Sequence, residues 1–380
     1  MSDADDIPEP DRLAGAPHPR DARELIGQGE AEAAFLEAFT SGRLHHAWLI
    51  TGPRGVGKAT LAWRIARFLL TAPDPGGEDS LFGAPPPPTS LDVDPENPVS
   101  RRMQALSEPR LFLLRRPWDP KAKRLRQEIT VDEARKLKGF FSMSAADGGR
   151  RVVIVDAADE MNTAAANSVL KLLEEPPARA VLLLISHQPS RLLPTIRSRC
   201  RTLRCQPLEA EEMARALEAA GAPMPEDPAP LGALSGGSVG LAHQLLTEDG
   251  LALYAAIVRL FEGAPRIDRE RALAFCDMVG ARGSEVTIDQ VLQMLDLFLS
   301  RLARAGVFGP PAPEAAPGEA ALMSRLCPHS GAARQWATLQ QAVSERTRHG
   351  VAVNLDPAAL LLDTVLKMNA AAQEGSPAPD

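Results

Sequence analysis

Nine residues, GPRGVGKAT at 52–60, hold the most specific chemical pattern in the chain. Gly52, Gly55 and Gly57 let backbone amides turn inward around an anion where side chains would clash. Lys58 would reach toward the β and γ phosphates of a nucleotide. A helix opening at that lysine would aim its positive end at them. Pro53, Arg54, Val56, Ala59 and Thr60 complete the candidate nucleotide-binding stretch. The usual pattern has Ser or Thr after the lysine, whose hydroxyl ligates magnesium; this chain has Ala59. Thr60 lies about 100° further round the helix and is no simple substitute. Nucleotide binding can survive that loss, but the metal geometry that hydrolysis needs suffers.

The second chemical element is VVIVDAADEMN, 152–162. Asp156 closes a run of β-formers and is the natural second anchor for magnesium or its water shell. Asp159 and Glu160 lie beyond the strand end, and no role is assigned to them. The third is Ser198-Arg199-Cys200; on composition alone Arg199 reads as a surface arginine. The basic run RRPWDPKAKRLR (115–126) reads as a solvated loop, with contact to a phosphate backbone as the lesser alternative. His45-His46 has no second ligand cluster, so no metal role is expected.

The scaffold for these residues is legible in the apolar pattern. Trp48-Leu49-Ile50 ends at Gly52, and Leu61, Ile65, Phe68 and Leu69 then mark an amphipathic helix, giving strand, loop and helix in order. An earlier helical pattern carries Ala34, Phe35 and Phe39. Thr130 and Glu133 form a capping-box pattern opening a helix through Leu137 and Phe140. After the strand at 152–155, Thr163 is expected to cap a helix bearing Ala166, Val169, Leu170 and Leu173, stopped by Pro176 and Pro177. Val181 to Ile185 is another unbroken apolar strand. Strands without alternation, separated by helices, predict a parallel sheet covered on both faces. Beyond Pro207 the β signals end. Ile288, Val291, Leu292, Leu295, Phe298, Leu299 and Leu302 make one apolar stripe with Gly306 as the expected stop. Asp356-Pro357 caps and opens the last helix.

Composition sets the outer limits. The 380 residues are 44% hydrophobic and 24% charged, enough for two or three domains. The net charge of −7 excludes a whole-molecule basic footprint for nucleic acid. With 4% aromatics and one Tyr, a stacking platform for single strands is not expected either. No apolar run approaches the ~18 residues of a membrane helix. The opening MSDADDIPEP lacks the features of a secretory signal, so a soluble cytoplasmic protein without membrane contact is expected. Cys200, Cys205, Cys276 and Cys327 suggest free thiols rather than disulfides or a zinc site. No carboxylate triad for two-metal polymerisation chemistry is apparent.

Together these motifs resemble the clamp-loader branch of the AAA+ ATPases, and within it the delta-prime family of bacterial DNA polymerase III. The resemblance covers roughly residues 22–370. SGRLHHAWLITGPRGVGK is very close to that family's first motif, ADEMNTAAANSVLKLLEEPP and LLPTIRSRCR carry the resemblance most specifically, and NLDPAALLLDTVLKM is similar to a final collar helix. It implies an α/β plus all-α architecture: a RecA-like AAA+ P-loop domain over 25–206, a small helical lid over 207–248 and a helical collar over 249–370. A loose arm at 1–24, a Pro-rich insertion at 71–110 and a frayed tail at 371–380 complete the expectation. ELIGQ (24–28) looks like the segment that lies along the adenine, which makes Ile26, Gly27 and Gln28 adenine-side candidates.

The resemblance also implies a role. Such subunits sit with gamma/tau and delta subunits in a five-subunit ring that loads the sliding clamp on primed DNA. Arg199 would act in trans at the ATP site of a gamma/tau neighbour. Hydrolysing members carry Ser or Thr after the loop lysine, Glu after the strand aspartate and an arginine in the lid. This chain has Ala59, Ala157, and Gly240-Leu241 at those places. The expected protein therefore binds ATP weakly or not at all, with magnesium only alongside nucleotide, and hydrolyses little or none. It belongs to a polymerase assembly without being a polymerase. No zinc is expected, because residues 59–150 contain no cysteine. The alternative is a hydrolysing gamma/tau-type motor or another AAA+ ATPase.

Overall fold

The structure, a computed structural model, describes residues 8–13, 15–22, 24–73, 87–142, 149–222, 224–280, 286–353 and 355–374. The chain forms two compact units, Met1–Gly221 with Gly237–Leu241, and Ala222–Gly236 with Ala242–Asp380.

The first unit runs α1 (Gly29–Thr40), β1 (Ala47–Thr51), α2 (Lys58–Thr71), α3 (Pro98–Gln104), β2 (Leu111–Arg115), β3 (Trp118–Asp119), β4 (Arg124–Leu125), α4 (Val131–Ser142), β5 (Arg151–Asp156), α5 (Thr163–Glu174), β6 (Ala180–Ser186), α6 (Pro194–Arg197), β7 (Arg201–Arg204) and α7 (Ala210–Ala219). Five strands form one sheet in the order β2-β5-β6-β1-β7, and every pairing is parallel. The three strands expected from unbroken apolar runs, β1, β5 and β6, are the three central ones. Both of their faces are covered, so nothing in them alternates. Leu49, Val153, Val155, Leu182 and Leu184 join α4 and α5 in one core layer. Trp48 faces the other way, its ring 5.1 Å from Phe35 of α1.

Several local expectations change. Asn162, not Thr163, caps α5: its backbone is extended and its side-chain oxygen accepts from Ala165 N at 2.9 Å, while Thr163 is already helical. Glu133 does not close a box on Thr130 but accepts from Lys136 Nζ at 2.7 Å. The basic run is not simply a loop. It supplies the end of β2 and a small antiparallel hairpin, β3 with β4, and spends Arg115, Arg116 and Arg126 on ion pairs.

Of the Pro-rich stretch, residues 74–86 lie outside the described residues. The rest of 71–110 is built into the unit: Leu91 and Met103 are buried, and Asp92 pairs with Arg64 at 2.8 Å. The arm at 1–24 also differs from the loose segment expected. Over its described residues it carries a buried His18 and a cluster of ion pairs, because its acidic residues find arginines on the unit itself. Residues 375–380 of the expected tail are not described.

The second unit holds α8 (Ala229–Ser235), most of α9 (Val239–Thr247), α10 (Gly250–Phe261), α11 (Arg269–Gly280), α12 (Ile288–Phe308), α13 (Glu319–Leu326), α14 (Ser330–Ala352) and α15 (Pro357–Glu374). The stripe on α12 is buried as expected, with Met294 added. The stop is Gly309 at φ +91°, not Gly306. Gly306 sits inside the helix, where a Cβ would come within 2.9 Å of His329 O. Its glycine serves close packing rather than termination. Asp356 caps α15 by accepting from Ala359 N at 2.9 Å. The compact units do not isolate the expected lid, since α7 falls in the first and α8 in the second.

Candidate nucleotide site

The site lies at the carboxyl ends of the parallel strands, where β1 hands over to α2. Gly52, Gly55 and Gly57 all have positive φ, at +146°, +77° and +98°. Each is required by its surroundings. A Cβ on Gly52 would strike the carbonyl of Cys205, one on Gly55 would strike Ser238 and Gly240, and one on Gly57 would come within 2.9 Å of Leu25. Gly57 precedes α2 without a side-chain cap, and the first turn of α2 holds no acid. The amides of Lys58, Ala59 and Thr60 therefore open the helix toward an anion.

The loop is braced from several directions. Gln28, buried, donates to Val56 O at 3.0 Å and to Gln206 O at 2.8 Å, and accepts from Gln206 N at 2.9 Å. Its whole amide is thus committed to backbone. Gly27, at φ +75°, packs where a Cβ would meet Glu212 and Leu208, and Ile26 is half-buried beside it. Ser238 Oγ donates to Arg54 O at 2.8 Å, and Gly240 N donates to Gly55 O at 2.9 Å. Lys58 Nζ, almost wholly buried, donates to Gly52 O at 2.9 Å and to Pro53 O. Burial pulls its pKa down to about 8, partly offset by Cys205 and Asp156.

Asp156 ends β5, and its pKa is pushed up to about 7 by burial, then by Asp11 and Glu160. Ala157 follows it, buried. Asp159 and Glu160 are structurally engaged. Asp159 accepts from the amides of His187 and Gln188 at 3.1 and 3.2 Å. Glu160 pairs with Arg54 at 3.2 Å and Arg116 at 2.8 Å.

Two further polar residues, which no sequence motif marks, stand at the end of β6. Ser186 Oγ and His187 Nδ1 are buried polar atoms without a hydrogen-bond partner. Burial, followed by the charges of Lys58 and Arg54, pulls His187 down to about 4. The only available signal was the switch from VLLLI to Ser-His at a strand end. Positive-φ glycines, an open helix start, a buried lysine and unpartnered polar atoms together suit a phosphate-bearing ligand. Thr60 is half-buried beside Ala59, and neither brings a magnesium ligand to the place after Lys58.

Arg199 stands apart from this group. It follows the short α6, donates to Thr195 O at 3.0 Å and pairs with Glu174 at 3.0 Å. No loop residue is among these contacts. His45 and His46 bond to backbone at Ala47 and Leu173. The four cysteines are free. Among the described residues no helix is long and apolar enough to cross a membrane.

The parallel sheet, the loop between β1 and α2, and the helical second unit define an α/β fold of the P-loop type with an added all-α part. Comparison with known proteins narrows this. Residues 27–209 match the family described as DNA polymerase III, delta subunit. The chain is 36% identical to DNA polymerase III subunit delta' of Pseudomonas aeruginosa over 233 residues, 60% of this chain and 63% of that protein. It is 32% identical to subunit delta' of Escherichia coli over 167 residues, 44% of each chain. It is 31% identical to subunit gamma/tau of Mycobacterium tuberculosis over 187 residues, 48% of this chain and 28% of that protein. The chain thus spans less than two thirds of the length of these relatives. The resemblance to the delta-prime family read from the motifs is borne out.

Proposed function

We propose that this chain is a delta-prime-type subunit of a bacterial clamp loader, a regulatory member of a five-subunit ring with gamma/tau and delta subunits. Through the assembly it helps place the sliding clamp on primed DNA. It binds ATP weakly or not at all, does not turn it over by itself, and supplies Arg199 in trans to the ATP site of a gamma/tau neighbour. The observation that carries this reading is a division within one site. The phosphate cradle keeps its glycines and Lys58, while Ala59 and Ala157 stand where hydrolysis needs a hydroxyl and a carboxylate. From the 237–241 segment Ser238 and Gly240 meet the loop, and the segment holds no arginine.

Magnesium would come only with nucleotide. Its ligands from this chain would be limited to Asp156 or waters held by it, since no hydroxyl follows Lys58. Lys58 would release its two loop carbonyls to meet phosphate oxygens. Arg199, already outside the loop and partly exposed, is free of the chain's own site. A guanidinium delivered to a neighbour's phosphates stabilises charge built up during transfer.

Steady-state ATP hydrolysis by the purified chain, alongside Lys58→Ala, tests the regulatory reading. The expected result is no turnover above background in either protein. Robust turnover abolished by Lys58→Ala would instead favour a gamma/tau-type motor.

A further inference from the structure

The segment ahead of α1 is held by an electrostatic cluster that the proposed function leaves unused. Asp11, with 3% of its side chain exposed, takes Arg115 at 2.6 Å, and His18 Nε2 stands 3.2 Å from it. Glu9 takes Arg20 at 2.7 Å and Arg115 at 3.2 Å. His18 is buried edge-on to Trp63 of α2, with ring centres 5.7 Å apart, and its Nδ1 accepts from Arg20 N at 3.0 Å. Arg67 of α2 donates to Arg20 O. The segment is therefore docked on α2 and on the end of β2.

That docking place adjoins the nucleotide site on two sides. Arg115 is the last residue of β2 and stands in register with Asp156 on β5. Two residues beyond Asp11, Leu13 packs on Gly240, lying 3.0 Å from where a Cβ would be. Gly240 in turn donates to Gly55 O of the loop. Residues 11–13 thus bridge from the Asp156 end of the sheet to the phosphate loop. They bring the Asp11 carboxylate close enough to Asp156 to help push its pKa up, at a place where a triphosphate would concentrate negative charge.

We propose that the acidic segment Glu9–Leu13 is an intramolecular occupant of the mouth of the phosphate loop, which a nucleotide must displace in order to bind. The proposal rests on the reading of the loop as a nucleotide site, and it supplies a cause of weak binding besides the loss at Ala59. Displacing the segment breaks the Asp11–Arg115 ion pair and the Asp11–His18 contact, a cost that nucleotide binding has to meet. A binder whose competent state is a minor fraction loses affinity by that fraction. The Leu13 end is the weaker attachment, since Leu13 remains 42% exposed while Asp11 and His18 are buried.

The test uses the full chain as wild type, as Asp11→Ala with Leu13→Ala, as Leu13→Ser alone, and with residues 1–13 deleted. Binding of a fluorescent ATP analogue with magnesium is titrated for each, and hydrogen exchange is followed across 53–58 and 238–241. The expected result is affinity tightened tenfold or more by the deletion and the double substitution, less by Leu13→Ser, with faster exchange in both stretches. The gain should vanish when Lys58→Ala is added. Equal, measurable affinity in all forms would overturn the proposal and leave the loop's nucleotide role standing. Unchanged exchange on deletion would overturn the cover itself. Faster exchange with no binding in any form would overturn the nucleotide reading, and the displacement step with it.

Discussion

Two places, one in each unit, treat buried charge in opposite ways. In the helical unit Glu319 is fully buried, yet every side of its carboxylate is met. Arg301 donates from Nε and a second nitrogen at 2.7 and 3.0 Å, Tyr254 from its hydroxyl at 2.6 Å, and Ala315 from its amide at 2.6 Å. Arg301 also reaches Ala233 O at 2.7 Å. In the α/β unit, around the phosphate loop and the ends of β5 and β6, burial outweighs the partners that the ionisable groups find. Asp156 is raised, Lys58 and His187 are lowered, and Ser186 Oγ has no partner. The first arrangement stabilises a fold. The second holds stability back at a place shaped for something else, which is the pattern of a binding site.

The sharpest way to break that contrast is Glu319→Ala. It strands a buried guanidinium and should cost about 3–5 kcal/mol of stability, read by urea unfolding. A loss below about 1 kcal/mol would mean the network is not the tie described.

Next comes pH. Asp156 holds its proton more tightly folded, about 7 against an ordinary 3.8, so its contribution to stability falls as pH rises through that window. His187 does the reverse: at about 4 against 6.5, it costs stability as pH falls from 6.5 toward 4. The two slopes oppose each other where the windows overlap, each at most about 1.4 kcal/mol per pH unit. Asp156→Asn should therefore expose the His187 slope below pH 6.5 and be more stable than wild type at pH 7.5. Parallel pH profiles for the two proteins would contradict this.

A smaller effect is expected of Lys58→Met. It removes a charge whose burial lowers its pKa, so thermal unfolding should move up or stay level, by about 1 kcal/mol at most, while any nucleotide binding is lost. Smallest of all is Ser186→Ala. Its hydroxyl has no partner to lose, so stability should change by less than about 0.5 kcal/mol. A cost above 1 kcal/mol would reveal an unseen partner and weaken the contrast.

Much of the α/β unit was legible because its central strands are apolar on both faces and its loop demands glycine at three places. The edge strands were not singled out. In β7 only Leu203 is buried and in β2 only Leu114, so neither run stands out from a loop. Gly306 misled for a related reason: a glycine near a helix end reads the same whether it stops the helix or admits a neighbour, and only Cys327 and His329 decide. At the candidate site, Gly52, Gly55, Gly57, Lys58 and Asp156 could be named from spacing. Ser186, His187 and the docked Glu9–Leu13 segment could not, because what marks them is a neighbour far away in sequence.

In the proposed assembly Arg199 works outside its own chain. The most direct test of this is primed-DNA- and clamp-stimulated ATP hydrolysis by the loader reconstituted with this chain, as wild type or Arg199→Ala. A fall of tenfold or more, with the complex intact, is the predicted result. An unchanged rate in an intact complex would contradict it and leave the Arg199–Glu174 pair a local brace.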